Sequence, residues 1–163
     1  MRVQKWLEKL EQVQRDGEGF RLTDYPMHYF AAIQRRNQVN LERMLARIDM
    51  TPIDWRILAA IHDRGAMTIN DLVDLTVFDR FKVSRGVNGL EERGLVAEAA
   101  GTSDRRKRRV TLTENGEEAY RKALSIVATA YIANFDGLSD DELSQLISLI
   151  QRVKDNVYRV EVY

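Results

Sequence analysis

The chain has 163 residues, of which 44% are hydrophobic and 31% charged, and its 25 basic and 25 acidic side chains cancel; this suits one domain, or one domain with arms, that can bury a core and stay in solution. The lack of cysteine excludes disulfides, zinc-thiolate sites and thiol redox sensing, and it fits a reducing cytoplasm. No apolar run approaches the ~20 residues that a membrane span needs, and the first residues, MRVQKWLEKLEQ, are too charged for a secretory signal.

Two prolines and nine glycines favour long helices with few turns. Val3, Trp6, Leu7, Leu10 and Val13 have helical spacing and predict a short amphipathic helix, broken by Asp16-Gly17-Glu18-Gly19. Its apolar stripe needs a partner surface, such as one on another subunit. A long helix over residues 26–48 follows, with Pro26 in its first turn and Phe30, Ile33, Leu41, Met44, Leu45 and Ile48 forming most of one face. Thr51-Pro52-Ile53-Asp54 is a cap, and the helix it opens carries Trp55, Ile57, Leu58 and Ile61 and ends at Gly65. Thr68-Ile69-Asn70-Asp71 is a second cap, opening a short helix through Leu72, Val73 and Leu75. A turn over 76–79 leads to a helix over 80–93, with Gly94 as left-handed terminator. Strands over 95–99 and 109–112 flank a loop, and Thr113 caps a long helix reaching about residue 136. Ser139-Asp140-Asp141-Glu142 is a capping box for a last helix, with Leu143, Leu146, Ile147, Ile150, Val153 and Val157 on one face. A short helix, a tight turn and a longer helix make a helix-turn-helix, and a hairpin with a basic loop after it makes a winged helix. The fold expected is mainly α with a small β-hairpin wing.

Charge is unevenly placed. From Arg80 to Arg109 there are nine basic and four acidic residues, so this span carries an excess of five positive charges against a net acidic remainder. A basic face on an otherwise acidic molecule suits a polyanion approached from one side. Wound at 100° per residue, the helix over 80–93 turns Val83, Gly86, Val87 and Leu90 inward, and Gly86 admits close packing of the preceding short helix. Phe81, Lys82, Ser84, Arg85, Asn88 and Gly89 face outward. Arginine can read guanine, asparagine adenine and serine either base in a major groove. Phe81 meets a thymine methyl or is tucked into the turn. In the hairpin, Val110 and Leu112 face in and Arg109 and Thr111 out. Residues 101–108 then form the loop and project the basic run Arg105, Arg106, Lys107 and Arg108 away from the body, with Arg109 starting the strand. An inserted arginine is attracted by a narrow minor groove, and Asp104 suits the role of a bidentate partner that orients one guanidinium. A flexible basic loop or a localisation signal would also carry such a run, but neither explains its direct continuation into Val110-Thr111-Leu112-Thr113.

Asp104-Arg105-Arg106, then Val110-Thr111-Leu112-Thr113 and Gly116, resembles the D-R-R-x-x-x-V-x-L-T-x-x-G wing signature of MarR-type regulators. Val83-Ser84-Arg85 and Leu90-Glu91-Glu92-Arg93-Gly94-Leu95-Val96 resemble that family's recognition helix and its exit, and the likeness covers about residues 25–160. It implies a winged-helix homodimer whose first and last helices interdigitate. The parts are then an accessory helix over 1–20, dimerisation helices over 21–50 and 114–163, and a DNA-binding domain over 51–113. It further implies a repressor that binds double-stranded DNA at a roughly palindromic operator and is released by a small ligand. By position, Arg106 is the minor-groove residue, Asp104 its orienting partner, and Lys82, Ser84 and Arg85 the DNA-facing part of the recognition helix. The helix before Phe20 and the glycines at 86 and 89 depart from the family pattern.

A metal sensor would need ligands, and His28 and His62 are far apart in sequence; no metal or resident cofactor is expected. A small organic effector, phenolic or an acyl thioester, is expected instead. Tyr25, His28 and Tyr29 cluster near the start of the first long helix, and Trp55 begins the next. If these residues border the family's pocket, the aromatics stack on a ring while His28 or Arg36 holds a carboxylate or phosphate. The same aromatics would equally serve as core and dimer interface. A winged helix used only for protein–protein contact is the alternative reading. No P-loop, nucleophile elbow, HExxH or dinucleotide fingerprint is present, so no catalytic residue is assigned.

Overall fold

A computed structural model describes residues 2–99 and 108–159, with side chains from Leu7 onward. The chain divides into two compact units, Met1–Arg43 and Met44–Tyr163. In the first, α1 (Arg2–Asp16) ends where Gly17 and Gly19 take positive φ of 73° and 77°. A single 3₁₀ turn, Leu22–Asp24, precedes α2 (Pro26–Leu45). Lys9 Nζ lies 2.6 Å from Asp24 Oδ2 and ties α1 back to that turn. Hydrogen bonding to this ammonium, reinforced by its charge, holds the Asp24 carboxyl below its ordinary range.

The second unit holds α3 (Pro52–Arg64), β1 (Met67–Thr68), α4 (Ile69–Thr76), α5 (Arg80–Glu92), β2 (Val96–Glu98), β3 (Arg109–Leu112), α6 (Glu114–Asn134) and α7 (Asp140–Arg159). The expected caps form. Thr51 and Asp54 exchange backbone and side-chain hydrogen bonds of 3.0 and 3.2 Å, as Thr68 and Asp71 do at 2.9 and 3.2 Å. Ser139 and Glu142 close a third box at the start of α7. Each box satisfies donors that a helix start leaves unpaired. Leu45, Ile57, Leu58, Leu72, Val83, Val87, Leu90, Val110 and Val127 are fully buried. α3 is the centre of this core, packed on α4, α5, α6 and β3.

The hairpin gains a strand. Among the described residues the sheet has three antiparallel strands in the order β1-β3-β2, with Met67 and Glu98 both opposite Val110. β1 is two residues long, too short for any alternation to announce it. On α7 no residue is buried, and its apolar face, including Ile147, Ile150, Val153 and Val157, is exposed.

Candidate nucleic-acid interface

The turn between α4 and α5 is fixed by its own residues. Val77 ends α4 in the left-handed conformation, at φ 59°. Asp79 then caps α5, its carboxylate accepting from the Lys82 backbone N–H at 2.9 Å. That bond, and after it the Lys82 side chain 3.2 Å away, holds the Asp79 carboxyl below its ordinary range. From α3, Arg56 donates to the Thr76 carbonyl at 2.9 Å, with its guanidinium 5.1 Å from the Phe78 ring centre. Arg80 donates to the Asn70 side-chain oxygen, joining the starts of α4 and α5.

The two faces of α5 separate as their periodicity requires. Val83, Val87 and Leu90 are buried, whereas Lys82, Arg85 and Asn88 are exposed and Ser84 is half-buried. Gly86 is needed for close approach, but not by the short helix. A Cβ there would lie 2.8 Å from Ile57 Cδ1, so it is α3 that crowds against it and not α4. An added Cβ at Gly89 meets no described atom within 4 Å. Phe81 is exposed rather than tucked into the turn.

The exit of α5 is clamped to both sides. Arg93 donates to the Asp49 carbonyl at 2.7 Å and lies 3.4 Å from the Asp54 carboxylate, joining the end of α5 to the start of α3. Thr113 caps α6, accepting from the Gly116 N–H at 3.0 Å and donating to the Gly94 carbonyl at 2.7 Å. A Cβ on Gly116 would stand 1.9 Å from the Leu95 carbonyl oxygen, which no side chain can occupy. At the base of the wing, Arg108 pairs with Glu91 of α5 and lies 3.3 Å from Glu98 of β2. Its Nε faces Glu98 without hydrogen-bond geometry and has no such partner among the described residues. Arg109 is exposed and stands opposite Thr68. Asp104, Arg105, Arg106 and Lys107 lie outside the described residues.

The expected ligand residues fall in both units. In the first, His28 and Arg36 line one open groove of about 530 Å³ with Ala31, Ala32, Arg35 and Val39. Tyr29 meets the His28 ring edge-on at 5.5 Å, and Tyr25 lies 6.3 Å from Phe20. In the second, Trp55 is buried and stacked at 5.6 Å on Tyr120, whose other neighbour is His62 at 4.0 Å. Among the described residues no group of three or more His, Asp or Glu could hold a metal, and no helix is long and apolar enough to cross a membrane.

Comparison with known proteins agrees with this geometry. Residues 48–107 match the pattern of the MarR family. The HTH-type transcriptional repressor IacR of Pseudomonas putida is 25% identical over 138 residues, spanning 85% of this chain and 83% of that protein. A MarR-family transcriptional regulator from Silicibacter pomeroyi superposes with a TM-score of 0.76 at 22% identity, over 87% of this chain and 96% of that one. BpsR of Bordetella bronchiseptica, a protein whose DNA binding is regulated by 6-hydroxynicotinic acid, gives a TM-score of 0.70 at 24% identity, over 78% and 96%. Residues 48–107 are thus similar to the MarR family, and the chain has the winged-helix fold of a solved regulator of that family.

The residues that resemble the MarR wing signature have local reasons in the fold. Thr113 and Gly116 are where α6 starts against the exit of α5, and only a glycine passes the Leu95 carbonyl. Sequence reasoning missed Asp79, Arg56 and the Glu91–Arg108–Glu98 group. The Asp at the end of a predicted turn was a legible cap. The other two join residues 20 and 17 positions apart, and no local pattern shows them.

Proposed function

We propose that this protein is a ligand-responsive, DNA-binding transcriptional repressor that acts as a homodimer on an inverted-repeat operator. The observation that carries the reading is the exposed face of α5, where Lys82, Arg85 and Asn88 stand opposite a fully buried apolar face. Lys82, Ser84, Arg85 and Asn88 reach base edges and phosphates in the major groove. On the wing, Arg106 enters the minor groove with Asp104 orienting it, while Arg105 and Lys107 neutralise phosphate. The naming of IacR as a repressor and the solved complex of Escherichia coli MarR with operator DNA support this reading. The apolar face of α7 supplies the dimer contact. The effector is a small aromatic or anionic molecule, phenolic or an acyl thioester, held in the α2 groove by Arg36 and His28, with Tyr25 and Tyr29 nearby in sequence; Trp55 contributes as core rather than as a stacking platform. The regulation of BpsR by 6-hydroxynicotinic acid, an aromatic acid, supports that ligand class.

Selection of bound sequences from a random duplex pool at about physiological salt tests the reading. The expected result is an inverted repeat with half-site centres about one helical turn apart. Affinity for it should fall steeply with salt, by about −0.9 in the log–log slope per neutralised phosphate. Recovery of no motif, from ligand-stripped protein, would overturn it in favour of a protein-binding winged helix.

A further inference from the structure

Two apolar side chains at the leading end of α5 have no packing to explain them. Phe81, the second residue of the helix, is 75% exposed, and Val77, in the turn before it, is 71% exposed. Phe78, between them, behaves in the opposite way. It is half-buried beneath the Arg56 guanidinium. The turn can therefore shelter an aromatic ring, and it shelters Phe78 while Phe81 is left outside.

A single exposed apolar residue is ordinary, but Val77 is also strained. At φ 59° a β-branched residue is an outlier where glycine would sit freely. The left-handed turn itself closes α4, with the Val77 N–H bonded to the Val73 carbonyl, but glycine would make that turn more easily and the exposed valine side chain gains nothing inside the chain, so its return lies in something outside it. The surroundings say what kind of thing. Arg80, Lys82 and Arg85 share this end of the helix and are exposed. An apolar pair at a helix end that carries three exposed cations, with Asp79 neutralised by Lys82, fits a surface with an anionic backbone and small apolar groups recessed within it. In the major groove the apolar group on offer is the thymine C5-methyl, and the N-terminal residues of a recognition helix are the ones that reach base edges.

We propose that Phe81, with Val77 beside the same helix end, reads thymine methyl groups in the major groove and makes one position of each half-site specific for thymine. The inference rests on the DNA-binding reading above and adds the base that this end of the helix selects. Its test uses the duplex recovered by selection, with 2′-deoxyuridine replacing thymidine one position at a time, which deletes a methyl and leaves pairing unchanged. For the unmodified protein, one position per half-site should lose about fourfold in affinity, the order expected for uncovering one methyl group. Phe81→Ala should bind the thymidine duplex more weakly by a similar factor and be indifferent to the uridine at that position. Val77→Gly should raise the thermal midpoint while weakening binding, a pair of opposite signs that a merely structural role would not give. If uridine weakens binding nowhere, or weakens the Phe81→Ala variant as much as the unmodified protein, the methyl-reading role is wrong while the repressor reading stands. If no duplex is selected at all, both fall together.

Discussion

Arg108 lies where charge alone assigns it to DNA, yet its guanidinium is already held by Glu91 of the recognition helix and Glu98 of β2. Two carboxylates around one cation leave that point net negative, a poor phosphate contact. The arrangement suits a brace that fixes the wing relative to α5. The two roles predict opposite signs. Glu91→Gln removes an acid from a surface facing a polyanion, so if Arg108 contacts phosphate, operator affinity rises. If Arg108 is a brace, affinity falls, by roughly threefold or more given the size of couplings within one charge network. The expected outcome is the fall, measured by duplex titration at fixed salt, with Glu91→Arg/Arg108→Glu recovering part of it. For Arg106, which lies outside the described residues, the proposed reading assigns the other role. Arg106→Ala should cost more than about tenfold in operator affinity with an unchanged melting curve, and wild-type affinity in that variant would remove the wing from the interface.

At the scale of elements, the fold depends on how helix ends meet their neighbours. Gly116→Ala sets a methyl 1.9 Å from the Leu95 carbonyl oxygen, so the start of α6 must move off the α5 exit. That should cost at least about 2 kcal/mol, read as a lower urea midpoint. The caps make stability sensitive to acid. Asp71 and Glu142 are held below their ordinary values of 3.8 and 4.5, chiefly by backbone hydrogen bonds from Thr68 and Ser139. Carboxylates lowered on folding stabilise fully above their unfolded values, and that share is lost as pH falls through the folded ones. The thermal midpoint should therefore stay level through neutral and mildly acidic pH and drop below about pH 4.5, with a shallower drop in Asp71→Asn/Glu142→Gln. These caps were legible because a capping box is written within four consecutive residues, and the helices they open came out with them. Other features were not legible, for reasons of distance or size. The two residues of β1 are recognisable only through the partner strand more than forty positions away. Gly86 was read correctly as a point of close approach, but periodicity shows only that a face points inward and not which helix it meets, so α3 was mistaken for α4. The buried and exposed faces of α5 followed from helical phase alone, whereas Arg56 and Glu91 hold the region through contacts that only the folded chain makes.

For the whole molecule, the decisive feature is what the chain leaves uncovered. α7 runs for 20 residues with none buried, and Ile147, Leu149, Ile150, Val153 and Val157 are each at least 40% exposed. A stripe of that length would be an aggregation liability on a monomer, whereas a second copy would cover it and would also set two recognition helices at a fixed spacing. Operator binding and dimerisation are then one equilibrium. A linked second half-site raises overall affinity by about 10²–10⁴ through effective concentration alone, without a new contact to DNA. Charge placed in the stripe, as Leu146→Asp/Ile150→Asp, should give a monomer in sedimentation and reduce full-operator affinity by a factor of that order. Affinity for an isolated half-site should change little, because α5 and the wing are untouched. Ser148→Asp, which adds the same charge on the far side of α7, should leave both measurements alone. A monomer that still bound the full operator at wild-type strength would show that one recognition helix suffices, whereas a variant that stayed dimeric would show that the exposed face of α7 meets some other partner than a second copy of this chain.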